Sequence, residues 1–381
     1  MRIAVNTRIL LAGKLEGVGK FTHEVLQRLV VQHPEHEFYF FFDRPYDKQF
    51  IYAPNVKPVV IYPPARHPFL FYLWFEIMLP RILRQLKPDV FFSPDNFTTL
   101  RTTVPRVTVI HDLAYQHFPE EKRYFDRRYY QKFIPRFAAA SRLILTVSEF
   151  SRKDILKSFN LPPDKVKVAP CGVSDFFKPT PFAQQIDIRQ KYCAGEMYFV
   201  FVGALQPRKN LVNLFKAFDA FKNLTRSEVN LVIVGRKAWK AGSIVKAYQA
   251  MTHKTEVVFT GRVSDAEVRQ LYGGALALVF ASVFEGFGLP IIEAQKCDCP
   301  VITSNTSSMP EVAADSALLV DPHSPDAICQ ALVQLYHYPE RRDYYIRRGR
   351  ENCRRYTWQQ TTNLVYQGLQ EAGVKSKKSF D

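Results

Sequence analysis

The stretch ALALVFASVFEGFGLPIIEAQ, Ala275 to Gln295, decides the fold class. It opens with an apolar run that ends in small residues, which predicts a buried strand. A glycine-containing turn follows, and Pro290 then stands where the first residues of a helix accept proline. Parallel sheets are built from such strand–turn–helix units, with the turn at the carboxyl end of the strand. The stretch therefore predicts one unit of an α/β domain.

The same alternation runs through both halves of the 381-residue chain. RIAVN and DVFFS in the first half, and YFVFVGAL and EVVFTG in the second, are apolar runs separated by amphipathic segments. Strands that alternate with helices indicate a parallel sheet covered on both faces. We therefore expect an α/β protein with two Rossmann-like, doubly wound domains that face each other across a cleft. Such sheets bind ligands at the carboxyl ends of their strands.

The domain boundaries are placed where the alternation weakens. Turn and proline signals between Cys171 and Gly195 predict a linker. We expect an acceptor-side domain over 1–175 and a donor domain over 195–355. The remaining segment, 356–381, predicts a helix that crosses back to the first domain and ends in a solvated tail.

Charge and composition restrict the function only in part. The net charge of +16 implies an anionic partner or surface, which includes nucleic acid, phosphorylated substrates and anionic lipid. No apolar window reaches about 18 residues, so no membrane span is expected. The start MRIAVNTRILL lacks the long apolar run of a signal peptide and predicts a strand. The scattered cysteines favour reduced thiols and a cytoplasmic protein.

Two cations directly follow a predicted strand of the second half. Arg208 and Lys209 lie between YFVFVG and a helical segment. Backbone N–H groups and the helix dipole favour an anion at such a junction, and arginine can clamp phosphate through its planar fork. Two cations in the first turn of a helix are unfavourable because they oppose the helix dipole. A bound phosphate would compensate for this, so their presence favours a phosphate-binding role. Two solvated surface charges remain the alternative.

The opening stretch places two glutamates around a glycine turn. Gly286 and Gly288 would let the backbone approach a ligand closely, and the amides of 287–289 could donate to phosphate. Glu285 and Glu293 would repel phosphate but can accept hydrogen bonds from hydroxyl groups. A sugar, a diphosphate and a ribose together would match this arrangement. Structural roles stay open, with Glu293 favoured by the helix dipole and Glu285 as a turn acceptor.

The first half contains two further candidates. The loop GKLEGVGKF, which includes Gly17, lies between a strand and a helix but lacks the dinucleotide-binding pattern. The glycine-containing loop favours contact with a ligand, which could be phosphate or substrate. His111 directly follows the strand VTVI, again at a carboxyl end. Both a site role and a purely structural role are open for this histidine.

Several catalytic patterns are absent from the sequence. It contains no Walker loop, no G-x-S-x-G elbow and no recognised zinc-ligand spacing. SPDNF and VSDFF contain one aspartate each, so no D-x-D metal loop follows a strand. We therefore expect neither a metal ion nor a cofactor in the mechanism.

Taken together, these motifs resemble one family. The pattern E-G-F-G-L-P-x-x-E, Glu285 to Glu293, resembles the E-x7-E motif of retaining glycosyltransferases of family 4, which have the GT-B fold. The R-K-N form at Arg208 resembles the branch that contains bacterial mannosyltransferases of O-antigen and exopolysaccharide assembly. The resemblance covers nearly the whole chain through GVGKF, VIHDLAYQHFP, TVSEFSRKDI, VGALQPRKNL, FTGRVSDAEV and NTSSMPEVAADSALLVDP.

The resemblance implies roles for the residues of the second domain. Glu293 would hold the ribose hydroxyls and Glu285 would contact the donor sugar. Arg208 and Lys209 would neutralise the diphosphate, including the charge that develops as it leaves. The following residues would also contact the donor: Gly286, Phe287, Gly288 and Leu289 near the sugar and phosphate, and Gly261, Arg262 and Val263 near the base.

The resemblance also assigns residues of the first domain and identifies two departures. His111 would touch the donor sugar, and Gly17 would lie near the phosphates or the acceptor. Many family members carry arginine where this chain has Ala204, and Arg208 would supply that charge. Many carry glycine where this chain has Asp298, which predicts an altered turn after the second glutamate.

The implied reaction is transfer with retention at the anomeric carbon and without metal. The donor is a nucleotide-diphosphate sugar, for which the resemblance favours GDP-mannose and leaves UDP-sugars and other GDP-sugars open. The acceptor would be a glycan or a lipid-linked glycan at the inner face of the membrane. The basic and aromatic segment Lys122 to Arg142 would contact its anionic surface, although a solvated helix with an aromatic core face is equally compatible.

Three other functions are compatible with part of the sequence. A nucleotide-sugar-binding protein without turnover would share the donor residues and differ only in the absence of transfer. A nucleic-acid-binding protein would suit the charge, but no nucleic-acid-binding motif is present, so nucleic acid is not an expected partner. A phosphorylase of related architecture would need a pyridoxal-phosphate lysine context, which the sequence lacks.

Overall fold

The computed structural model describes residues 1–65, 67–236 and 242–377. The chain divides into two compact units, one formed by Met1–Gly172 with the chain from Trp358 and the other by Val173–Thr357. Each unit contains one parallel sheet with helices around it. The predicted α/β class with two Rossmann-like domains is confirmed.

The sheet of the first unit is parallel throughout, and both faces of its central strands are buried. Its strands are β1 (Arg2–Asn6), β2 (Glu37–Phe42), β3 (Val56–Val60), β4 (Val90–Ser93), β5 (Arg106–Val109), β6 (Leu143–Thr146) and β7 (Val166–Val168). Their order is β3-β2-β1-β4-β5-β6-β7. The strand order reverses between β1 and β4, so a ligand site is expected at the carboxyl ends of this pair.

Helices follow the strands of the first unit in the predicted alternation. They are α1 (Gly17–Gln32), α2 (Pro68–Leu73), α3 (Leu79–Leu86), α4 (Ala114–His117), α5 (Tyr124–Ala140) and α6 (Glu149–Phe159). A π-helical segment, Trp74–Met78, joins α2 to α3. The aromatic side chains of this region form a core with the sheet, which includes Trp74, Phe75 and Phe91.

The second unit repeats the design. Its strands are β8 (Tyr198–Val202), β9 (Asn230–Val234), β10 (Val257–Gly261), β11 (Ala277–Phe280), β12 (Val301–Ser304) and β13 (Leu318–Val320). Their order is β10-β9-β8-β11-β12-β13, and all pairs are parallel. The switch point of this sheet therefore lies between β8 and β11.

The helices of the second unit begin earlier in the chain than the sequence suggested. They are α7 (Phe182–Cys193), α8 (Leu211–Thr225), α9 (Gly242–Gln249), α10 (Asp265–Gly274), α11 (Leu289–Lys296), α12 (Met309–Ala313), α13 (Pro325–His337) and α14 (Pro339–Cys353). The stretch interpreted as a linker thus contains α7, which packs on α10. A Cβ on Gly274 would lie 2.7 Å from Ile188, so the glycine lets these helices approach closely.

The last helix, α15 (Trp358–Lys377), belongs to the first unit. Trp358 is buried and meets the ring of Phe21 on α1 edge-on, with centroids 6.0 Å apart. A Cβ on Gly368 would lie 2.8 Å from a methyl carbon of Leu143, so this helix rests directly on the sheet. Residues 378–381 of the predicted solvated tail lie outside the described residues.

Within the described residues, no helix combines the length and hydropathy that crossing a bilayer requires. All six cysteines are free and buried. Burial raises the pKa of the Cys297 thiol to about 12, with a smaller contribution from Glu293. This thiol is therefore held in its protonated form.

Candidate active site

Three predicted side chains meet at the switch point of the second sheet. Arg208 and Lys209 lie in a short 3-10 turn after β8, and Glu285 lies in the loop after β11. Arg208 Nη1 is 3.2 Å from one carboxylate oxygen of Glu285, and Lys209 Nζ binds the other. All three side chains are largely buried. The topology therefore assembles a compact charged cluster.

The carboxylate of this cluster is ionised. Burial by itself would raise the pKa of Glu285, but the charges of Lys209 and Arg208 outweigh it and hold the pKa below its ordinary value. The buried cluster carries two positive charges against one negative charge. It therefore presents a net positive charge to a ligand at this edge of the sheet.

The two loops that carry these residues are bonded to each other. Arg208 Nη1 also donates to the carbonyl of Phe284 at 3.0 Å, and the amide of Val283 donates to the carbonyl of Arg208 at 2.8 Å. The Lys209 ammonium lies 5.0 Å from the centre of the Phe280 ring. These contacts fix the two cations in position.

Two serines that the sequence analysis did not select shape the glycine turn. The hydroxyl of Ser307 accepts from the amide of Glu285 at 3.1 Å. The hydroxyl of Ser308 bonds to the carbonyls of Glu285 and Phe287, both at 2.9 Å. Both serines follow β12, and their position after a strand was the signal that could have identified them.

Gly288 leads the turn into α11. Its φ of +104° lies in the left-handed region, where a side chain would be strained. It caps α11, which begins at Leu289. The positive φ explains why glycine stands at this position. The turn 285–288 ends at the amino terminus of a helix, where first-turn amides lack intrahelical acceptors.

Glu293 lies on the buried side of α11. The structure places it beside Tyr272 of α10, whose hydroxyl donates to the carboxylate at the long distance of 3.5 Å. Burial raises the pKa of Tyr272 well above its ordinary value, and the charge of Glu293 adds to this effect. Tyr272 therefore stays protonated and can only donate to the carboxylate.

The predicted base loop starts at Gly261, the last residue of β10. Gly261, Arg262 and Val263 lie at the same edge of the sheet as the charged cluster, but β9 separates β10 from β8. Gly235, which follows β9 and was not selected from the sequence, lies between these strand ends. A Cβ on Gly235 would lie 1.9 Å from the carbonyl oxygen of Gly203, so only glycine allows this approach.

In the first unit, His111 follows β5 and is buried. Its Nε2 lies 2.9 Å from the carbonyl of Pro94, which can only accept, so Nε2 carries a proton. Burial lowers the pKa of His111, against a smaller opposing effect of that hydrogen bond. The ring is therefore neutral at ordinary pH. Gly17 begins α1 at the carboxyl edge of the same sheet.

An ion pair at the switch point of the first sheet was not anticipated. Arg8 Nη2 lies 2.6 Å from Asp95 Oδ2, just beyond the ends of β1 and β4. Asn6 donates to the other oxygen of Asp95 at 3.0 Å, and the Arg8 guanidinium lies 5.0 Å from the centre of the Phe71 ring. The position of Asp95 in SPDNF, directly after a strand, was the available signal.

Comparison with known proteins agrees with this arrangement. Residues 15–175 match the family described as Glycosyltransferase Family 4, and residues 184–352 match Glycosyl transferases group 1. The chain therefore belongs to the group 1 and family 4 glycosyltransferases, and it is a glycosyltransferase. The family that the sequence motifs indicated is confirmed.

Two relatives extend over most of the chain. One is O-antigen chain mannosyltransferase B of Escherichia coli, which is 29% identical over 91% of this chain and 94% of its own length. Another is O-antigen chain mannosyltransferase RfbU of Salmonella typhimurium, which is 28% identical over 76% of each chain.

Solved structures share the fold. The crystal structure of Anabaena HepE in complex with UDP and glucose has a TM-score of 0.76 at 15% identity and covers 97% of this chain and 100% of its own. At this identity the likeness concerns the fold, and the fold class is GT-B, as predicted.

Proposed function

We propose that this chain is a retaining, metal-independent hexosyltransferase. It moves mannose from GDP-mannose to a glycan or lipid-linked acceptor in the assembly of a cell-surface polysaccharide. The Arg208–Lys209–Glu285 cluster supports this proposal most directly, because it places two cations and a carboxylate at a ligand-binding edge. The relationship to an O-antigen chain mannosyltransferase, at 29% identity over 91% of the chain, supports the choice of sugar.

The diphosphate is assigned to Arg208 and Lys209. Their charges are fixed in a largely buried site, where they stabilise negative charge more strongly than they would in water. They would supply the positive charge needed as the diphosphate departs, without a divalent ion. Phosphate oxygens would replace the carboxylate of Glu285 as their partners, which leaves Glu285 to accept a hydrogen bond from the sugar.

The other donor groups are assigned around this point. Glu293 binds the ribose hydroxyls, since carboxylate oxygens accept hydrogen bonds from hydroxyl groups. The turn from Gly286 to Leu289 donates amides to the sugar and phosphate. The segment Gly261 to Val263 contacts the base. His111 donates to or accepts from a sugar hydroxyl as a neutral ring, and Gly17 lies near the phosphates or the acceptor.

Retention is explained by attack on the face from which the diphosphate leaves. The acceptor hydroxyl oxygen forms a bond to the anomeric carbon as the bond to the phosphate oxygen breaks, and the hydroxyl proton passes to that phosphate oxygen. Glu285 is not assigned as a nucleophile, because its carboxylate is assigned to accept a hydrogen bond from a sugar hydroxyl once phosphate has replaced it on the two cations. This leaves the departing phosphate as the base for the acceptor.

The acceptor is expected at an anionic membrane surface. At the start of α5, the side chains of Tyr124 and Phe125 are 61% and 67% exposed. Arg128 and Lys132 are exposed on the same helix. Exposed aromatic side chains among basic residues suit the interface of an anionic bilayer. The protein would then act in the cytoplasm at the inner face of the membrane.

Product analysis tests the proposal. The purified chain would be incubated with GDP-mannose, other GDP-sugars and UDP-sugars, each with a lipid-linked glycan acceptor. We expect mannose transfer from GDP-mannose, an α-anomeric product by NMR, and unchanged rates at 25 °C after treatment with a chelator. Donor binding without hydrolysis or transfer would instead identify a non-catalytic nucleotide-sugar-binding protein. An inverted product or dependence on an added divalent ion would contradict the proposed chemistry.

A further inference from the structure

A turn at the end of α1 brings two histidines and a glutamate together. The amide of His36 donates to the carbonyl of His33 at 3.1 Å, which closes a β-turn over the sequence H-P-E-H. Pro34 occupies the second position of the turn, where its fixed φ is favourable. Glu35 lies between the two histidines in this turn.

Hydrogen bonds from a residue of a neighbouring loop hold the turn in place. The side-chain amide of Asn55 donates to the carbonyls of Val30, His33 and His36 at 3.0, 3.1 and 3.1 Å. Asn55 directly precedes β3, so it fixes the turn against the sheet. A ligand set supported in this way loses little conformational entropy when it binds an ion.

The distances within the turn match those around a small metal ion. His33 Nδ1 and His36 Nε2 lie 3.3 and 3.4 Å from the same oxygen of Glu35. One donor atom from each of the three residues can be chosen so that all lie within 4.8 Å of one another. In a tetrahedral zinc site with bonds of about 2.0–2.1 Å, ligand atoms are about 3.4 Å apart.

We infer that His33, Glu35 and His36 form a zinc-binding site, with water as the fourth ligand. Two imidazoles and one carboxylate are a nitrogen and oxygen set that suits Zn²⁺, whereas Mg²⁺ and Ca²⁺ prefer oxygen ligands alone. The other ring nitrogen of His36, Nδ1, lies 3.1 Å from the amino nitrogen of Met1.

The site is structural and separate from the proposed donor chemistry. His36 directly precedes β2, so the turn lies at the amino edge of the first sheet, whereas His111 follows a strand at the carboxyl edge. The 16 residues of α1 connect these two edges, which corresponds to about 24 Å. No step of sugar transfer involves the turn.

The ion would stabilise the packing of α15 against the rest of the first unit. The ring of Tyr366 on α15 stacks on His33 with centroids 3.6 Å apart, and its hydroxyl lies 2.9 Å from His36 Nε2. Fixing both imidazoles would therefore fix the surface on which Tyr366 rests. The hydroxyl would give up its contact with Nε2 and hydrogen-bond to the zinc-bound water.

Zinc titration of the untagged, chelator-treated full chain tests this inference by calorimetry. We expect one Zn²⁺ per chain with a dissociation constant of about 1 μM or below, and visible absorption typical of tetrahedral coordination when Co²⁺ is used. Glu35→Gln and His33→Phe should each weaken zinc binding at least about tenfold. Glutamine keeps the size of a side chain that is 56% exposed, and phenylalanine keeps the stack on Tyr366.

Matched substitutions of exposed residues control for nonspecific binding. Glu228→Gln and His337→Gln should bind zinc as the wild type does, since both side chains lie on the surface of the second unit. Zinc should raise the melting temperature of the wild type and of these controls by more than that of Glu35→Gln. Equal zinc affinity in wild type and Glu35→Gln, or an octahedral Co²⁺ spectrum, would show that the short distances reflect hydrogen bonds alone and would overturn the inference.

Discussion

Arg208 Nη1 lies 3.2 Å from Glu285 Oε2, where the loops after β8 and β11 meet. Lys209 binds the same carboxylate. The two cations assigned to the diphosphate are therefore neutralised in part by the glutamate assigned to the sugar. Under the proposed function, donor binding would exchange these ion pairs for phosphate contacts.

Replacing Glu285 with glutamine removes the competing charge but keeps the side-chain size. We expect Glu285→Gln to bind GDP at least as tightly as the wild type, because the carboxylate no longer repels phosphate or occupies the cations. Transfer should nevertheless fall about tenfold or more, since glutamine accepts a sugar hydroxyl less strongly. Calorimetry with GDP and initial rates measure the two effects, with Glu228→Gln as control. A parallel loss of GDP affinity and transfer would contradict the exchange.

Lys209→Ala and Glu293→Ala should affect different kinetic constants. Lys209 is assigned to the diphosphate, whose charge grows in the transition state, so its loss should lower kcat about 100-fold or more. Glu293 is assigned to the ribose, which does not change in the reaction, so its loss should mainly raise KM. Steady-state kinetics separate these outcomes, and Lys216→Ala, at an exposed position on α8, is the control. Wild-type constants in both variants would refute the site assignment.

His111 should make stability depend on pH. Burial lowers its pKa in the folded protein, so the unfolded chain binds the proton more readily. Its stabilising contribution is therefore complete above its ordinary pKa of about 6.5 and is lost as the pH falls toward the folded pKa. We expect the stability advantage of the wild type over His111→Gln to shrink between pH 7.5 and 5.5, by at most about 1.4 kcal/mol per pH unit. Denaturation at each pH measures this difference, and a constant advantage would contradict it.

Asp298 occupies a left-handed turn, with a φ of +60°, at the position where the family resemblance implies glycine. Arg350 donates two hydrogen bonds of 2.6 Å to the Asp298 carboxylate, so a side-chain contact accompanies the strained backbone. Asp298→Ala keeps the strain without the contact and should cost about 1–2 kcal/mol, whereas Asp298→Gly should change stability by less than about 1 kcal/mol. Arg350→Ala should destabilise the wild type more than the Asp298→Gly variant. Equal effects in both backgrounds would show that the pair contributes nothing.

The basic and aromatic face of α5 predicts binding to anionic vesicles. We expect sedimentation of the protein with vesicles that contain phosphatidylglycerol, and weaker binding at high salt, because surface charges are screened. Arg128→Glu with Lys132→Glu should reduce this binding more than Lys153→Glu with Lys157→Glu, which changes the net charge equally on α6. Equal partitioning with neutral and anionic vesicles would remove the electrostatic argument.

Much of the fold could be predicted from the sequence. The runs RIAVN, YFVFVG and ALALVF became β1, β8 and β11, because buried parallel strands need only a local apolar run bounded by turn residues. The stretch before Gly195 was interpreted as a linker because its turn and proline signals masked α7, whose contacts with α10 come from a distant part of the chain.

The sequence by itself determined that strands alternate with helices and that Arg208, Lys209 and Glu285 follow strands. Only the tertiary structure decided that they meet, since Arg208 and Glu285 are 77 residues apart and strand order places β8 next to β11. It likewise paired Arg8 with Asp95 across 87 residues. The physical reason is that helix and strand preferences act over a few neighbouring residues, whereas strand order depends on how whole layers bury their apolar surfaces against each other.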